Sequence, residues 1–227
     1  LVYFNAVFNF NKLYPIEAVG RYESDLIQRI YWSDYNSSLR SLNIADPNVL
    51  TTDLSLIDIN PYVGYTQPLL QAITGGGNLL VGLYQVAYRL ITFDGKQTLI
   101  SPPSNMIHIV SNSETVPDSA QYGGDPKGVN SFKSITCTID TTNYTNFEKI
   151  ELIVLFHEDF QGTPVIKSIE TQSIGASTSV VFTYTGSETT AIPLTSIDFA
   201  LKSYPFSTCK TLTQVDSSLV IANLKST

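Results

Sequence analysis

The chain has 227 residues, of which 43% are hydrophobic and only 15% are charged. The hydrophobic fraction suffices for a core and argues against a disordered chain, whereas the low charge favours a surface that neighbouring subunits cover. The formal net charge is −7 and Lys and Arg form no cluster, which argues against sequence-specific nucleic-acid binding. No apolar run reaches the roughly 18 residues that a membrane span needs.

The first sixty residues alternate between apolar and polar side chains, a pattern typical of β-strands. It predicts strands at 1–10, 16–22, 26–32 and 39–44, the last two joined as a hairpin by a polar turn around Asp34 and Asn36. From residue 45 to 77 the pattern weakens and three prolines interrupt it. A connecting segment with short strands and one helical turn is predicted there.

The middle of the chain carries the longest apolar run, residues 79–93, in which Tyr84 and Tyr88 share one strand face. Asp94-Gly95 predicts a hairpin turn with a return strand at 97–100. Further strands are predicted at 105–110, 134–140, 147–157, 164–172 and 178–185, with a long loop at 111–130. About seven strands at this spacing predict a β-sandwich of immunoglobulin or fibronectin type.

The last forty residues begin with a predicted short helix. Thr195 is its N-cap, Asp198 stands at the capping-box position, and Pro205 ends it. Strand pattern returns at 210–224. Strand-like residues also begin at Leu1, where no initiator Met stands, so both ends are expected to interrupt a continuing fold.

Residues with potential chemistry are scattered, and no catalytic, cofactor-binding or metal site is predicted. His108 and His157 lie on predicted strands without the close ligands that zinc needs. Gly75-Gly76-Gly77 lacks the Lys-Ser/Thr of a phosphate loop and predicts a flexible turn, and Glu158-Asp159 predicts a hairpin tip. Cys137 and Cys209 are interpreted as buried thiols, with a disulfide as the alternative.

Three segments together resemble a known family. Gln28-Arg29-Ile30-Tyr31-Trp32-Ser33-Asp34 with 39–44 is similar to a β-propeller hairpin, and 76–90 with Ser101-Pro102-Pro103-Ser104 is similar to the start of a fibronectin-like sandwich. Residues 210–212 with 216–224 resemble the strand that opens another blade, although Ser217-Ser218 replaces an Arg that is frequent there. A blade, an inserted sandwich and another blade in this order resemble tail nozzle, muzzle or stabilisation proteins of short-tailed bacteriophages, including the crAss-like group.

The resemblance implies an all-β fold with an immunoglobulin- or fibronectin-like sandwich inserted between partial propeller blades. The expected domains are propeller-like strands at 1–60, a linker at 61–78, the sandwich at 79–190, and a short helix with a returning propeller-like strand at 191–227. The implied role is a non-enzymatic structural subunit of the virion tail, forming a ring around the DNA exit channel. Its expected partners are copies of itself, other tail proteins and, transiently, exiting DNA, which an acidic channel lining would not hold.

Two other functions fit the residues. A carbohydrate-binding or adhesion sandwich would use the tyrosines to stack on sugars, whereas in a structural protein the same side chains fill a core and an interface. An accessory β domain of a hydrolase is the other alternative, and a pair of carboxylates beside Trp32 would support it.

Overall fold

The computed structural model of the chain describes residues 8, 10–59, 61, 63–111, 126–158, 162–200, 208–216 and 218–225. Within these residues the protein is all-β, and every pairing between its named strands is antiparallel. The strands in chain order are β1 (Glu17–Ser24), β2 (Ile27–Ser33), β3 (Arg40–Asn43), β4 (Leu69–Gly75), β5 (Gly82–Ile91), β6 (Ile107–Ile109), β7 (Lys133–Asp140), β8 (Lys149–His157), β9 (Val165–Ser173), β10 (Ser179–Tyr184), β11 (Ile192–Leu194), β12 (Thr208–Val215) and β13 (Ser218–Lys225).

The helical elements with described bounds are short. Val49–Thr51 and Leu54–Leu56 are 3₁₀ turns, and helix α1 spans Ser196–Ala200. The predicted cap of α1 is confirmed, because the Thr195 N–H donates to Asp198 Oδ2 at 2.9 Å and the Asp198 N–H donates to Thr195 Oγ1 at 3.2 Å. In the part of the chain that the structure describes, no helix is long and apolar enough to cross a membrane.

The chain divides into two compact units. Unit 1 comprises residues 1–63, 94–99 and 203–227, and unit 2 comprises 64–93 and 100–202. The segment 61–78, expected to be a linker, contains strand β4.

Unit 1 contains a three-stranded sheet in the order β1-β2-β3 and the hairpin β12-β13. Because side chains alternate along a strand, the two faces of the sheet meet different partners. One face carries Trp32 and Leu42, which form a core cluster with Phe8 and Ile57. The other face contributes to a second cluster, whose members are Val19, Tyr31, Leu39, Ile59, Cys209, Leu212, Leu219 and Ile221.

Unit 2 contains two sheets, one in the order β10-β7-β4 and one in the order β11-β9-β8-β5-β6. On the larger sheet alternate residues of β5 are buried, among them Tyr84 and Tyr88 as predicted from their shared parity. Strand β8 is apolar on both faces, because its second face is also covered. That second face carries a core cluster, which packs against Ile100, Leu194 and Phe199 and consists of Ala87, Ile153, Leu155 and Ile166.

The predicted return strand at 97–100 is wrong, since Gln97 forms only an isolated bridge and the next strand is β6. The SPPS segment explains why. Ser101 and Ser104 donate their N–H groups to the Tyr88 and Val86 carbonyl oxygens at 2.7 and 2.8 Å, and their hydroxyls accept from the same two residues' N–H groups at 3.1 and 3.0 Å. The two prolines between them have no N–H, so a regular ladder cannot form. Serine side chains bond the edge of β5 in its place.

The segment 210–224 is extended as predicted, but a turn at Asp216, where φ is 51°, divides it into β12 and β13. Sequence analysis also missed β11. Most of the predicted strand 1–10, residues 112–125 of the predicted loop, Asp159 and Pro205 lie outside the described residues.

Candidate functional site

The residues singled out for metal or thiol chemistry have structural surroundings. His157 Nε2 lies 3.2 Å from Gln85 Oε1, across the β5-β8 pair. Cys137 and Cys209 are free and buried, which confirms the interpretation as buried thiols. Burial raises the pKa of Cys137 to about 12, so this thiol is protonated at neutral pH. Among the described residues, no three His, Cys, Asp or Glu side chains are grouped to hold a metal ion.

The triglycine turn is tightly packed at one position. Gly76 has a φ of 95°, and a Cβ on Gly77 would lie 2.0 Å from the carbonyl oxygen of Lys133. Both glycine N–H groups donate to the Phe132 carbonyl, at 2.9 and 3.3 Å. The segment therefore needs glycine because its backbone crosses the end of β7 closely, a role unrelated to phosphate binding.

A cleft of about 110 Å³ opens in unit 2. Most of its lining residues are apolar or aromatic, and they include the exposed Lys167; the lining residues are Asn78, Leu79, Leu80, Tyr84, Val154, Phe156, Val165, Lys167, Tyr184 and Gly186. The Tyr84 hydroxyl donates to the Leu80 carbonyl at 2.8 Å, and its ring lies 4.7 Å from that of Phe156. The cleft has room for one side-chain-sized group and includes no nucleophile–base pair.

A buried network of hydroxyls joins the start of β4 to the larger sheet of unit 2. The phenol oxygens of Tyr88 and Tyr144 lie 2.7 Å apart, and both side chains are fully buried. Tyr88 donates to the Thr66 carbonyl at 2.8 Å, and the Thr66 N–H donates to Tyr144 Oη at 2.8 Å. Burial raises the pKa of Tyr88 well above its ordinary value. These rings are core, so they offer no surface for sugars.

The other face of the same sheet holds a charged cluster. Arg89 binds Glu151 through Nε and Nη2, with 3.1 Å between Nη2 and Oε1, and Ser168 donates its hydroxyl to the same carboxylate. Glu151 is only 6% exposed. Three hydrogen bonds satisfy this buried carboxylate, and because the donors lie on β5 and β9 the cluster holds three strands together.

Unit 1 contains a comparable anchor in the loop 94–99. The Lys96 ammonium donates to the Ser41 and Leu56 carbonyl oxygens at 2.9 and 2.7 Å. Burial lowers the pKa of Lys96 to about 8. Arg29 stands beside it, with Nε 3.6 Å from Asp94 Oδ2 and Nη1 2.9 Å from Glu23 Oε1. The predicted Asp94-Gly95 turn thus supplies a lysine that ties β3 to the 3₁₀ turn at Leu54–Leu56.

The hairpin β12-β13 is held to the three-stranded sheet by polar as well as apolar contacts. Glu17 on β1 accepts from the Leu212 N–H and the Thr211 hydroxyl, each at 3.2 Å. Ser33 on β2 donates its hydroxyl to the Cys209 carbonyl. Side-chain contacts, rather than a backbone ladder between named strands, join the two elements. No sequence signal identified these partners, which lie more than 170 residues apart.

In the described polar clusters most carbonyl, N–H and carboxylate groups bond to one another, although the buried Arg29 Nε and Trp32 Nε1 have no hydrogen-bond partner among the described residues. Trp32 is buried against Phe8, with ring centroids 5.8 Å apart, and the nearby Asp34 accepts N–H bonds from Asn36 and Ser37 in its own turn. These residues do not form the pair of carboxylates beside Trp32 that would support a hydrolase domain. Fold and clusters together define an all-β protein whose described polar clusters hold strands and turns together.

Comparison with known proteins gives the particular family. A model described as the Crassvirus muzzle protein matches residues 1–227, and the chain belongs to this family. The muzzle protein of Bacteroides phage crAss001 is 24% identical to it over 177 residues, which are 74% of this chain and 12% of that relative. The chain thus spans about an eighth of the length of the curated relative it matches. Muzzle proteins of these phages are virion tail components, which places the chain in the virion tail.

Proposed function

We propose that the chain builds part of a ring around the DNA exit channel of the phage tail, from propeller-type and sandwich-type modules. The single observation that carries the proposal is in unit 1, where strands β2 and β3 of the β1-β2-β3 sheet pack against apolar clusters on both faces. A sheet at the surface of a protein buries only one face, whereas a propeller blade is enclosed between its neighbours.

The two clusters of unit 1 fit stacked blades. Trp32 and Leu42 are covered on one side by Phe8 and Ile57. On the other side, Leu212 of the β12-β13 hairpin packs in the cluster that contains Leu39. In this interpretation β1-β2-β3 is one blade and β12-β13 opens the next, in the order that the sequence motifs predict.

Unit 2 supports the sandwich module. The inward faces of β7 and β10 carry Ile135, Cys137 and Phe182, all at most 3% exposed. The rings of Tyr84 on β5 and Tyr184 on β10 lie 6.2 Å apart, which links the two sheets through their buried faces. Two antiparallel sheets with a shared apolar layer form the core of a sandwich. The sandwich would be an insertion between the blades, since each of the two segments of unit 2, 64–93 and 100–202, is flanked in sequence by segments of unit 1.

The charge of the chain suits a path for DNA. At a net charge of −7 the phosphate backbone is repelled rather than retained. A channel that releases a genome needs this property, and contact with DNA would then be transient. The proposed stable partners are copies of the same protein and other tail proteins, and the proposed role involves no catalysis.

Electron cryomicroscopy of the full-length protein tests the proposal. The expected result is a closed ring with an opening that admits duplex DNA, with unit 1 inside a circular array of blades. The variant Leu212→Asp, which puts a charge in the blade contact, should abolish the rings, and Thr213→Asp, on the exposed face of the same strand, should keep them. A monomer, or a ring in which β12-β13 has no blade beside it, would contradict the proposal.

A further inference from the structure

The smaller sheet of unit 2 ends in β4 and β10, on opposite sides of the central strand β7, and no other strand of the described residues pairs with either edge. Both flank β7 in antiparallel fashion, so they run parallel to each other. Each therefore presents a row of N–H and C=O groups that can accept a further strand.

Neither edge carries the charges that usually guard exposed strands. The segment 64–77, which contains β4, has no Asp, Glu, Lys, Arg or His, and the same holds for 171–187, which contains β10. Natural edge strands are protected by charges, by proline within the strand or by shortness. Here the seven residues of β4 and the six of β10 have none of these along the strand itself, although β4 has one bulge.

The other described edges are guarded. Strand β1 contains Glu17, Arg21 and Glu23, and β13 ends in Lys225. Strands β6 and β11 have three residues each, and β11 includes Pro193. The contrast singles out the two edges of the β10-β7-β4 sheet.

The β4 edge also leaves core-facing side chains uncovered. Leu70 and Ile73 stand directly opposite Cys137 and Ile135 of β7. Those β7 residues are 3% and 1% exposed, whereas Leu70 and Ile73 are 45% and 41% exposed. Within the described residues, the apolar layer under the sheet therefore extends to β4, where it is only partly covered. At the β10 edge the corresponding residue Phe182 is fully buried, so that side of the layer is complete.

We propose that β4 of one copy pairs in parallel with β10 of a second copy, so that the sheet continues from subunit to subunit. The two edges are different surfaces, so the contact is head-to-tail, the type that generates rings when the rotation closes. The second copy is the occupant because a chain of net charge −7 repels its copies least where both surfaces are free of charge. The inference deepens the ring proposed above and depends on it.

Cross-linking of the full-length protein tests the pairing. Leu69 and Val181 face outward and share a register across Thr138, and they are 59% and 52% exposed. The double variant Leu69→Cys/Val181→Cys, oxidised to form disulfides, should give a ladder of linked species up to the full ring. Within one copy β7 separates the two positions by about 10 Å, too far for a disulfide, whereas paired strands lie about 5 Å apart. Each single variant, and the parent protein with its native cysteines, should give none of these species.

The outcomes separate this inference from the ring proposal. Rings seen by electron microscopy without a ladder would overturn the pairing and leave the ring intact. Dimers from Leu69→Cys alone would show that two β4 edges meet, which also overturns it. The absence of any ring would overturn both proposals.

A charge placed at the edge gives a second measurement. Ile73→Lys should lower the fraction of assembled rings about tenfold or more, because strand addition would bury the ammonium group. Ile197→Lys changes the same residue type at a 70% exposed position on α1 and should leave assembly unchanged. Circular dichroism and the melting temperature of both variants establish that they fold. Rings of Ile73→Lys in normal amount would overturn the pairing.

Discussion

Replacing Gly77 by alanine should destabilise unit 2 far more than the same change two residues earlier. A Cβ at residue 77 would lie 2.0 Å from the Lys133 carbonyl oxygen, 2.5 Å from its carbon and 2.9 Å from the Ser134 nitrogen. All three are backbone atoms of β7, so no side-chain rotation relieves the clash. Overpacking usually costs about 1–3 kcal/mol. Because the central strand must shift to relieve this clash, the loss of stability should lie at the upper end of that range, about 3 kcal/mol. The melting temperature should fall by roughly 10 °C.

Gly75→Ala is the matched control for this prediction. A Cβ on Gly75 meets no atom within 4 Å, and its φ is not positive. It should therefore change stability by less than about 1 kcal/mol, with a small gain from the reduced freedom of the unfolded chain. Calorimetry of the parent and both variants measures the two effects, and near-ultraviolet circular dichroism follows the buried tyrosines of unit 2. Equal melting temperatures for the two variants would refute the close packing at Gly77.

Three further predictions concern buried ionisable groups. Glu151→Leu should destabilise the protein by about 3 kcal/mol in urea unfolding, because Arg89 loses its partner. The double variant Glu151→Leu/Arg89→Leu should recover most of the lost stability, and a double variant as unstable as the single one would contradict the ion pair. The pKa values of Tyr184 and Cys137 are raised from 10.0 and 9.0 to about 12. The stability that the neutral groups contribute below pH 9 should therefore be lost progressively toward pH 12, and the Tyr184→Phe variant should lose less stability over this range. The pKa of Lys96 is lowered from 10.5 to about 8, so the folded protein loses this proton at a lower pH than the unfolded chain and should become more stable between pH 8 and 10.5. Measured by urea unfolding at each pH, the stability of the parent relative to Lys96→Met should grow by up to roughly 3 kcal/mol over this range. A constant difference would contradict the burial of Lys96.

Much of the local structure follows from the sequence, because the strand period of two is clear wherever one face is buried. Strands β2, β7 and β8 begin and end within about two residues of the predicted bounds. The capping box of α1 was predicted because its partners are three residues apart. The parity of Tyr84 and Tyr88 also identified them as core.

The polar clusters could not be predicted, because their partners are distant in sequence. Arg89 and Glu151 are 62 residues apart, and Lys96 reaches carbonyl oxygens 55 and 40 residues away. Backbone carbonyls carry no sequence signal at all. In the sequence, the SPPS segment offers two prolines that end a strand and a resemblance to a family motif. Its serine bonds depend on β5, which the sequence does not place beside it.

The low charge of the chain acquires a location in the structure. From composition alone it favours a surface covered by neighbours, without saying where. Charged side chains stand in the anchors of both units, at Arg29, Lys96, Arg89 and Glu151, where each bonds within the protein. The charge-free stretches 59–88 and 171–187 contain the two edge strands of one sheet, β4 and β10. If repulsion between acidic copies sets where subunits can meet, charge should be excluded from the strands that meet, and the edge variant Ile73→Lys tests that rule directly.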